Sequence, residues 1–142
     1  EAAVHGVALG LQNHNNGNLA ATGKDVLAIL DEVDRDNFTY VLDTGEWEGG
    51  VGAHPLGHAD PDADIYAFMD QAAPRAVCVR AKIYRVESGA EAWIDYERVA
   101  RILKGVDFNG SVSIVLQNQS PGLADTEAVR LAARHLRQVL AD

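Results

Sequence analysis

Residues 38–47 read FTYVLDTGEW. Phe38–Leu42 is a short run of aromatic and β-branched side chains, the composition of a half-buried strand, and it stops on an acid, Asp43. A strand that ends on a carboxylate either opens into a solvated loop or faces a site. The flanking sequence decides between the two.

Downstream lies a long loop, Thr44 to about Asp62, with five glycines, two prolines and two histidines. Loops of this length between elements often carry function, and a lid over a pocket is the expected use. Upstream, the apolar run Val4–Leu11 reads as a buried strand. It closes in GLQNHNNG, residues 10–17, so Gln12, Asn13 and His14 follow the apolar chain and Asn15-Asn16-Gly17 turns it. Thr22 and Asp25 have the spacing of a capping box before a helix over Lys24–Val33, with Val26, Leu27, Ile29, Leu30 and Val33 on one face.

The alternation continues. A helix is expected over Asp64–Ala73, stopped near Pro74, then a strand over Ala76–Tyr84 and a polar loop over Arg85–Trp93. Asp95 is placed to cap a helix Tyr96–Lys104 that turns Tyr96, Val99, Ile102 and Leu103 inward. Val112–Leu116 is the fourth strand, and Pro121–Leu123 leads into a helix over Asp125–Leu140 with Val129, Ala132, Leu136, Val139 and Leu140 on its apolar face. Strand starts near residues 4, 38, 75 and 111 make a βα unit repeated four times. Such alternation implies an α/β fold with a parallel sheet and right-handed crossovers. It fits a small open sheet or half of an eight-stranded barrel. No Gly-x-Gly-x-x-Gly follows a strand and no Gly-Lys-Ser/Thr loop occurs, so no dinucleotide or P-loop nucleotide site is expected.

The totals set the class. A chain of 142 residues, 47% hydrophobic, is expected to form a single domain, 1–142, with a real core. No apolar stretch approaches the roughly 20 residues of a membrane helix, and no signal or transit peptide is visible. The chain opens on Glu1 without a methionine, which reads as a processed chain or a piece of a longer one. A net charge of −9 argues against nucleic acid or an anionic membrane as partner. Arg130, Arg134 and Arg137 read as the solvated outer face of the last helix. The single cysteine, Cys78, excludes an internal disulfide and suits a reducing compartment, so a cytoplasmic protein is expected. Set in AVCVRA, Cys78 reads as an inert thiol on a buried strand.

In parallel α/β folds functional groups gather at the carboxyl ends of the strands. Here those ends offer Gln12, Asn13 and His14; Asp43, Glu46 and Trp47; Arg80, Lys82 and Tyr84; and Gln117, Asn118 and Gln119. One polar strand end is a loop start. Four in register suggest a shared pocket.

The stretches GVALGLQNHN, TGKDVLAILDEVD, FTYVLDTGEW, APRAVCVRAKIYRV and DYERVARILKGVDFNGSVSIVLQ, with the closing helix, together resemble the C-terminal half of the sugar phosphate isomerase/epimerase family, the xylose isomerase-like (β/α)8 barrels. The resemblance implies a sugar or polyhydroxy carbonyl substrate and proton transfer between adjacent carbons. It also implies one divalent metal (Mn, Mg, Co or Zn) held by Glu, Asp, His and Glu at the four strand ends. This sequence departs from that set. Gln12 stands for the first Glu, Asp43 is kept, Arg80 stands for His, and the fourth position falls on Val115 or, two residues on, Gln117. Glu46 stands near a His that usually follows the Asp. The metal set implied is therefore Asp43 with Gln12 and Gln117. Asp43 paired with Arg80 as an ion pair, or as a site for an anionic or carbonyl substrate, reads equally well. The catalytic candidates are Asp43, His14 and Arg80. The candidates for substrate contact are Gln12, Asn13, Trp47, Lys82, Tyr84 and Gln117, with Trp47 stacking on a sugar face. His54 and His58 read as loop polarity, and Trp93 as structural.

Four βα units are half of a barrel. An isolated half leaves two open sheet edges and, on this reading, an apolar inner face. A homodimer or a separate N-terminal half-barrel is therefore the expected partner. The leading expectation is an isomerase or epimerase. The rival is a degenerate half-barrel that binds a sugar-like ligand or a partner subunit without catalysis.

Overall fold

The computed structural model describes residues 1–15 and 17–141. Asn16, at the centre of the expected turn, lies outside the described residues, as does Asp142. Strands β1 (Leu9–Gln12), β2 (Phe38–Asp43), β3 (Ala76–Ile83) and β4 (Ser111–Leu116) alternate with helices α1 (Gly23–Val33), α2 (Ile65–Ala72), α3 (Tyr96–Gly105) and α4 (Asp125–Ala141). The strands form one sheet in chain order, every neighbour parallel. This is the α/β architecture of four βα units expected from the repeat.

Local chemistry starts three of the four α-helices. Thr22 Oγ1 accepts the N–H of Asp25, and the Asp25 carboxylate accepts the N–H of Thr22, completing the capping box. Asp64 caps α2 and Asp95 caps α3 through their carboxylates. The chain leaves α2 through a short 3₁₀ turn, Ala73–Arg75, that carries Pro74. The core lies between helices and sheet. Val26, Leu30, Met69, Val99, Leu103, Ala128, Ala132 and Leu136 pack against Tyr40, Leu42, Val79, Ala81 and Ile83.

Four expectations change. The first strand begins at Leu9, not Val4. Residues Ala2–His5 form a 3₁₀ turn closed by Gly6 at φ 65°, and pairing begins only where Phe38 stands opposite Leu9. Val4, Val7 and Leu9 are exposed. In α4 the buried stripe runs through Ala128, Ala132 and Leu136, while Val129 is exposed, one position away on the helix. Cys78 is half-buried, its Sγ accepting the Ser111 hydroxyl, so it stands on the open side of the sheet rather than in the core. That open side is not apolar. Strand alternation and register give it Gly10, Gln12, Thr39, Val41, Asp43, Cys78, Arg80, Lys82, Ser111, Ser113 and Val115, mostly small or polar.

One irregularity positions the site. The register shifts by a residue between Tyr40 and Val41, where Tyr40 faces Ala76 but Val41 faces Cys78. Without that extra residue in β3, Asp43 would stand beside Val79. With it, Asp43 stands beside Arg80.

Candidate functional site

The first three strand ends converge on Asp43. Its side chain has no exposed surface. Oδ1 accepts the Gly45 N–H at 3.0 Å. Oδ2 accepts Gln12 Nε2 at 3.3 Å and lies 3.3 Å from Arg80 Nε, an ion-pair contact outside hydrogen-bond angles. Arg80 Nη1 donates to Gln12 Oε1 at 2.7 Å, closing a ring of three side chains from three strands. Burial raises the Asp43 carboxyl above the ordinary carboxylate range, against the opposing pull of the Gly45 N–H, Lys82 and Arg80; Glu46 adds to the rise.

Asn13 builds the frame. Its Oδ1 accepts the Asp43 N–H and the Tyr40 hydroxyl, each at 2.8 Å. Its Nδ2 donates to the carbonyls of Asp43 and Glu46 at 2.9 and 3.0 Å. Fully buried and saturated, Asn13 holds the β2 end and has nothing left for a substrate.

Beside this ring stands a second cluster. Lys82 Nζ lies 2.5 Å from Glu46 Oε1, both side chains about nine-tenths buried. Glu46 Oε2 faces His14 Nε2 at 3.8 Å, and that imidazole is 53% exposed. His14 Nδ1 lies 3.3 Å from the Asn15 carbonyl and 3.1 Å from Asn18 Nδ2. The carbonyl suits a protonated Nδ1 and the amide a bare one, so the ring has partners for either state. Gly45 makes this packing available. A Cβ there would come within 2.6 Å of Lys82 Cγ and 2.7 Å of Tyr84 Oη. Thr44 locks the same segment, its Oγ1 accepting the Lys82 N–H and meeting the Tyr96 hydroxyl, both at 2.9 Å.

The structure thus separates the expected residues. Gln12, Asp43, Arg80, Lys82 and His14 share one end of the sheet. Gln117 is exposed beyond β4, its N–H bonded to the Ile83 carbonyl. Trp47 and Tyr84 are not available for substrate contact. Trp47 is fully buried with its ring against Phe68 at 5.9 Å. Tyr84 is fully buried against Trp93 at 5.2 Å, its hydroxyl pointing to the Gly45 carbonyl. Burial, with the nearby Glu46, Asp43 and Glu91 carboxylates, pushes the Tyr84 phenol above its ordinary value. Glu46, counted among the polar strand ends but assigned no role from the sequence, joins the site through Lys82 and His14. Its spacing of three from Asp43 was the available signal.

The donor set does not suit a divalent ion. Hard cations want several anionic or imidazole donors. Among the described residues no group of three or more His, Cys, Asp and Glu could hold one. Here the Asp43 Oδ2 and the Gln12 oxygen already face a fixed positive charge. At an effective dielectric of about 20, two unit charges 4 Å apart repel by roughly 4 kcal/mol, and a divalent ion doubles that. His54 and His58 belong to no metal-binding group among the described residues. A wide groove between α3 and α4, lined in part by Leu103, Lys104, Phe108, His135 and Val139, lies at the other end of the sheet and outside this cluster.

A sequence model of the xylose isomerase-like TIM barrel family matches residues 1–139. Similar solved structures include a D-psicose 3-epimerase from Clostridium cellulolyticum H10 crystallised with D-tagatose, at 18% identity and a TM-score of 0.69 over 98% of this chain and 51% of that one. An L-ribulose 3-epimerase has 20% identity and a TM-score of 0.59, over 99% of this chain and 48% of its own. A 3-keto-D-glucoside 4-epimerase from E. coli has 12% identity and a TM-score of 0.65, over 96% and 48%. The chain spans about half the length of these structures. No curated protein sequence matches it significantly. No helix among the described residues is long and apolar enough to cross a membrane. The family match covers nearly the whole chain, and the chain belongs to the xylose isomerase-like TIM barrel family.

Proposed function

We propose that this chain is half of a sugar isomerase or epimerase, acting on a sugar or related polyhydroxy carbonyl compound by proton transfer at the carboxyl ends of β1–β3. The observation that carries the reading is the pairing of a held cation with a proton carrier. Arg80 is fixed from behind by Gln12 and Asp43, and exposed His14 is backed by buried Glu46.

The chemistry follows from those positions. Removing a proton from a carbon next to a carbonyl leaves negative charge on the oxygen, as an ene-diolate. Arg80 faces that oxygen with a guanidinium that needs no reorientation, and Lys82 adds positive charge two residues along the same strand face. His14 takes the proton at Nε2 or Nδ1 and returns it to the adjacent carbon, which isomerises the sugar; inversion at the same carbon needs an acid on the other face, which the facing half supplies. Glu46 Oε2 faces the Nε2 side of the His14 ring at 3.8 Å. Gln12 and Gln117 orient hydroxyls. Asp43 has both oxygens occupied and no exposure, so its part is to aim and neutralise Arg80, as a positioning residue. The partner is a second copy of this chain or a separate N-terminal half, which supplies the facing wall; the setting is the cytoplasm.

The similar structures are sugar epimerases, which supports the substrate class. A second reading, a binding half-barrel without turnover, draws on Gln12 and Arg80, neither of which exchanges a proton at useful pH. Product analysis separates them. The full-length protein is incubated with ketohexoses and their keto-acid counterparts, and epimers or isomers are resolved by chromatography. Turnover that falls about 100-fold or more in His14→Gln and Arg80→Met supports the enzyme. Absence of turnover on every member, with binding retained, supports the second reading.

A further inference from the structure

We infer that Arg80 is the resident cation of this site, and that the site takes a polyhydroxy carboxylate, a sugar acid, without a divalent metal. The inference rests on the reading above for the location of the pocket and adds the ligand's charge.

Three observations point to a carboxylate. First, the guanidinium is held at two of its three nitrogens and free at the third. Nε faces Asp43 and Nη1 binds Gln12, while Nη2 has no hydrogen bond to any described residue, and the side chain is 36% exposed. The unengaged Nη2 donors lie in the plane of a charged guanidinium, where they can meet a carboxylate oxygen. Second, the cluster is electrically balanced. Asp43 and Glu46 are offset by Arg80 and Lys82, in a chain whose net charge is −9. An anion that reaches the cluster meets no excess of negative charge there. Third, the surroundings suit the rest of such a ligand. Ser113 stands beside Arg80 in the β4 register, Gln12 reaches it from the end of β1 and His14 follows two residues on, so groups able to meet hydroxyls lie on either side of the cation. Alternation puts Lys82 on the same strand face as Arg80, its charge held by Glu46.

The same geometry opposes a metal. An ion bound to Asp43 Oδ2 would displace the guanidinium that contacts it at 3.3 Å and the Gln12 amide. Arg80 cannot lose its proton to make room.

Two measurements on the purified full-length protein test the inference. Isothermal titration compares D-gluconate, the neutral polyol D-glucitol and glucose 6-phosphate. The expected result is gluconate binding about tenfold or more tighter than either comparison, and weakened about tenfold in Arg80→Lys, which keeps the charge but loses the planar guanidinium. Gln12→Glu, which sets a carboxylate against the guanidinium, is expected to weaken gluconate similarly. Glucitol or glucose 6-phosphate binding as tightly as gluconate overturns the carboxylate assignment. Electron paramagnetic resonance of added Mn²⁺ is the second measurement. A free-ion signal undiminished by stoichiometric protein is expected, and one tightly bound Mn²⁺ per chain overturns the metal-free site. The two claims fail separately. Turnover that requires Mn²⁺ keeps the proposed activity and removes this inference. Arg80-dependent gluconate binding without turnover on any substrate keeps this inference and removes the activity.

Discussion

Asn13 clasps Asp43 at both ends of the residue, its Oδ1 taking the Asp43 N–H at 2.8 Å and its Nδ2 reaching the Asp43 carbonyl at 2.9 Å. One amide at the end of β1 thereby sets the backbone of the β2 end, and with it the aim of the carboxylate at Arg80. Replacing Asn13 by alanine strands the buried Asp43 N–H and the Tyr40 hydroxyl together. A loss of about 2–4 kcal/mol is expected in urea unfolding, with about 1 kcal/mol for Tyr40→Phe, which removes one donor alone. A loss below about 0.5 kcal/mol for Asn13→Ala contradicts the framing role.

The Lys82–Glu46 pair is buried, and buried pairs are costly to break from one side. Glu46→Gln leaves the Lys82 ammonium without its counter-charge, and about 3 kcal/mol is expected to be lost. The double variant Glu46→Gln, Lys82→Met removes the stranded charge and is expected to recover a good part of that. A double-mutant cycle in unfolding free energy reads the coupling directly. Additive losses contradict a real pair.

Gly45 and Gly105 make opposite predictions. Gly45→Ala drives a Cβ into Lys82 and Tyr84 at distances below 3.0 Å, so a loss of about 1–3 kcal/mol is expected along with displacement of the Thr44–Trp47 segment. Gly105 ends α3 with nothing within 4 Å of its would-be Cβ, so Gly105→Ala is expected to be neutral or stabilising by about 0.5 kcal/mol. Thermal unfolding of the two variants checks the contrast. Equal effects would contradict the close approach at Gly45.

Glu91 gives a pH dependence. Its carboxylate accepts the N–H groups of Tyr84, Arg85 and Trp93, yet burial raises its proton affinity above the ordinary carboxylate range. A folded-state value above the unfolded one means the native state binds the proton more tightly. The stability this contributes is full below the unfolded value and is lost as pH rises through the folded one. The midpoint difference between wild type and Glu91→Gln is therefore expected to be largest near pH 4 and to narrow toward neutrality. His135, whose imidazole burial holds below its usual range, works in the opposite sense in both proteins and cancels in the comparison. A difference that widens with pH contradicts the assignment.

How far the sequence reveals this molecule depends on whether a feature is local. The capping box at Thr22 and Asp25 and the cap at Asp95 act over three residues, and the helices start where those residues stand. The polar strand ends at Gln12, Asp43 and Arg80 were legible because alternation and the βα repeat carry them to one edge. The first strand was misread because apolar residues Val4–Ala8 find no partner strand, a fact of register and not of composition. Trp47 and Tyr84 follow the polar ends closely in sequence, but the Thr44–Asp62 loop folds back and buries both. The apolar inner face was inferred from barrels in general, whereas here Ser111, Ser113, Arg80 and Lys82 occupy it. The one-residue shift that sets Asp43 beside Arg80 leaves no mark on a single sequence.

The proposed activity is proton transfer to and from carbon at this strand-end cluster. The most direct measurement is proton NMR of candidate keto sugars and keto sugar acids incubated with the full-length protein in D2O. Loss of the signal from one hydrogen beside the carbonyl is expected in at least one substrate, as deuterium enters, with the rate falling about 100-fold or more in His14→Gln. Deuterium entry that His14→Gln leaves at the wild-type rate, or no entry into any substrate the protein binds, would contradict it.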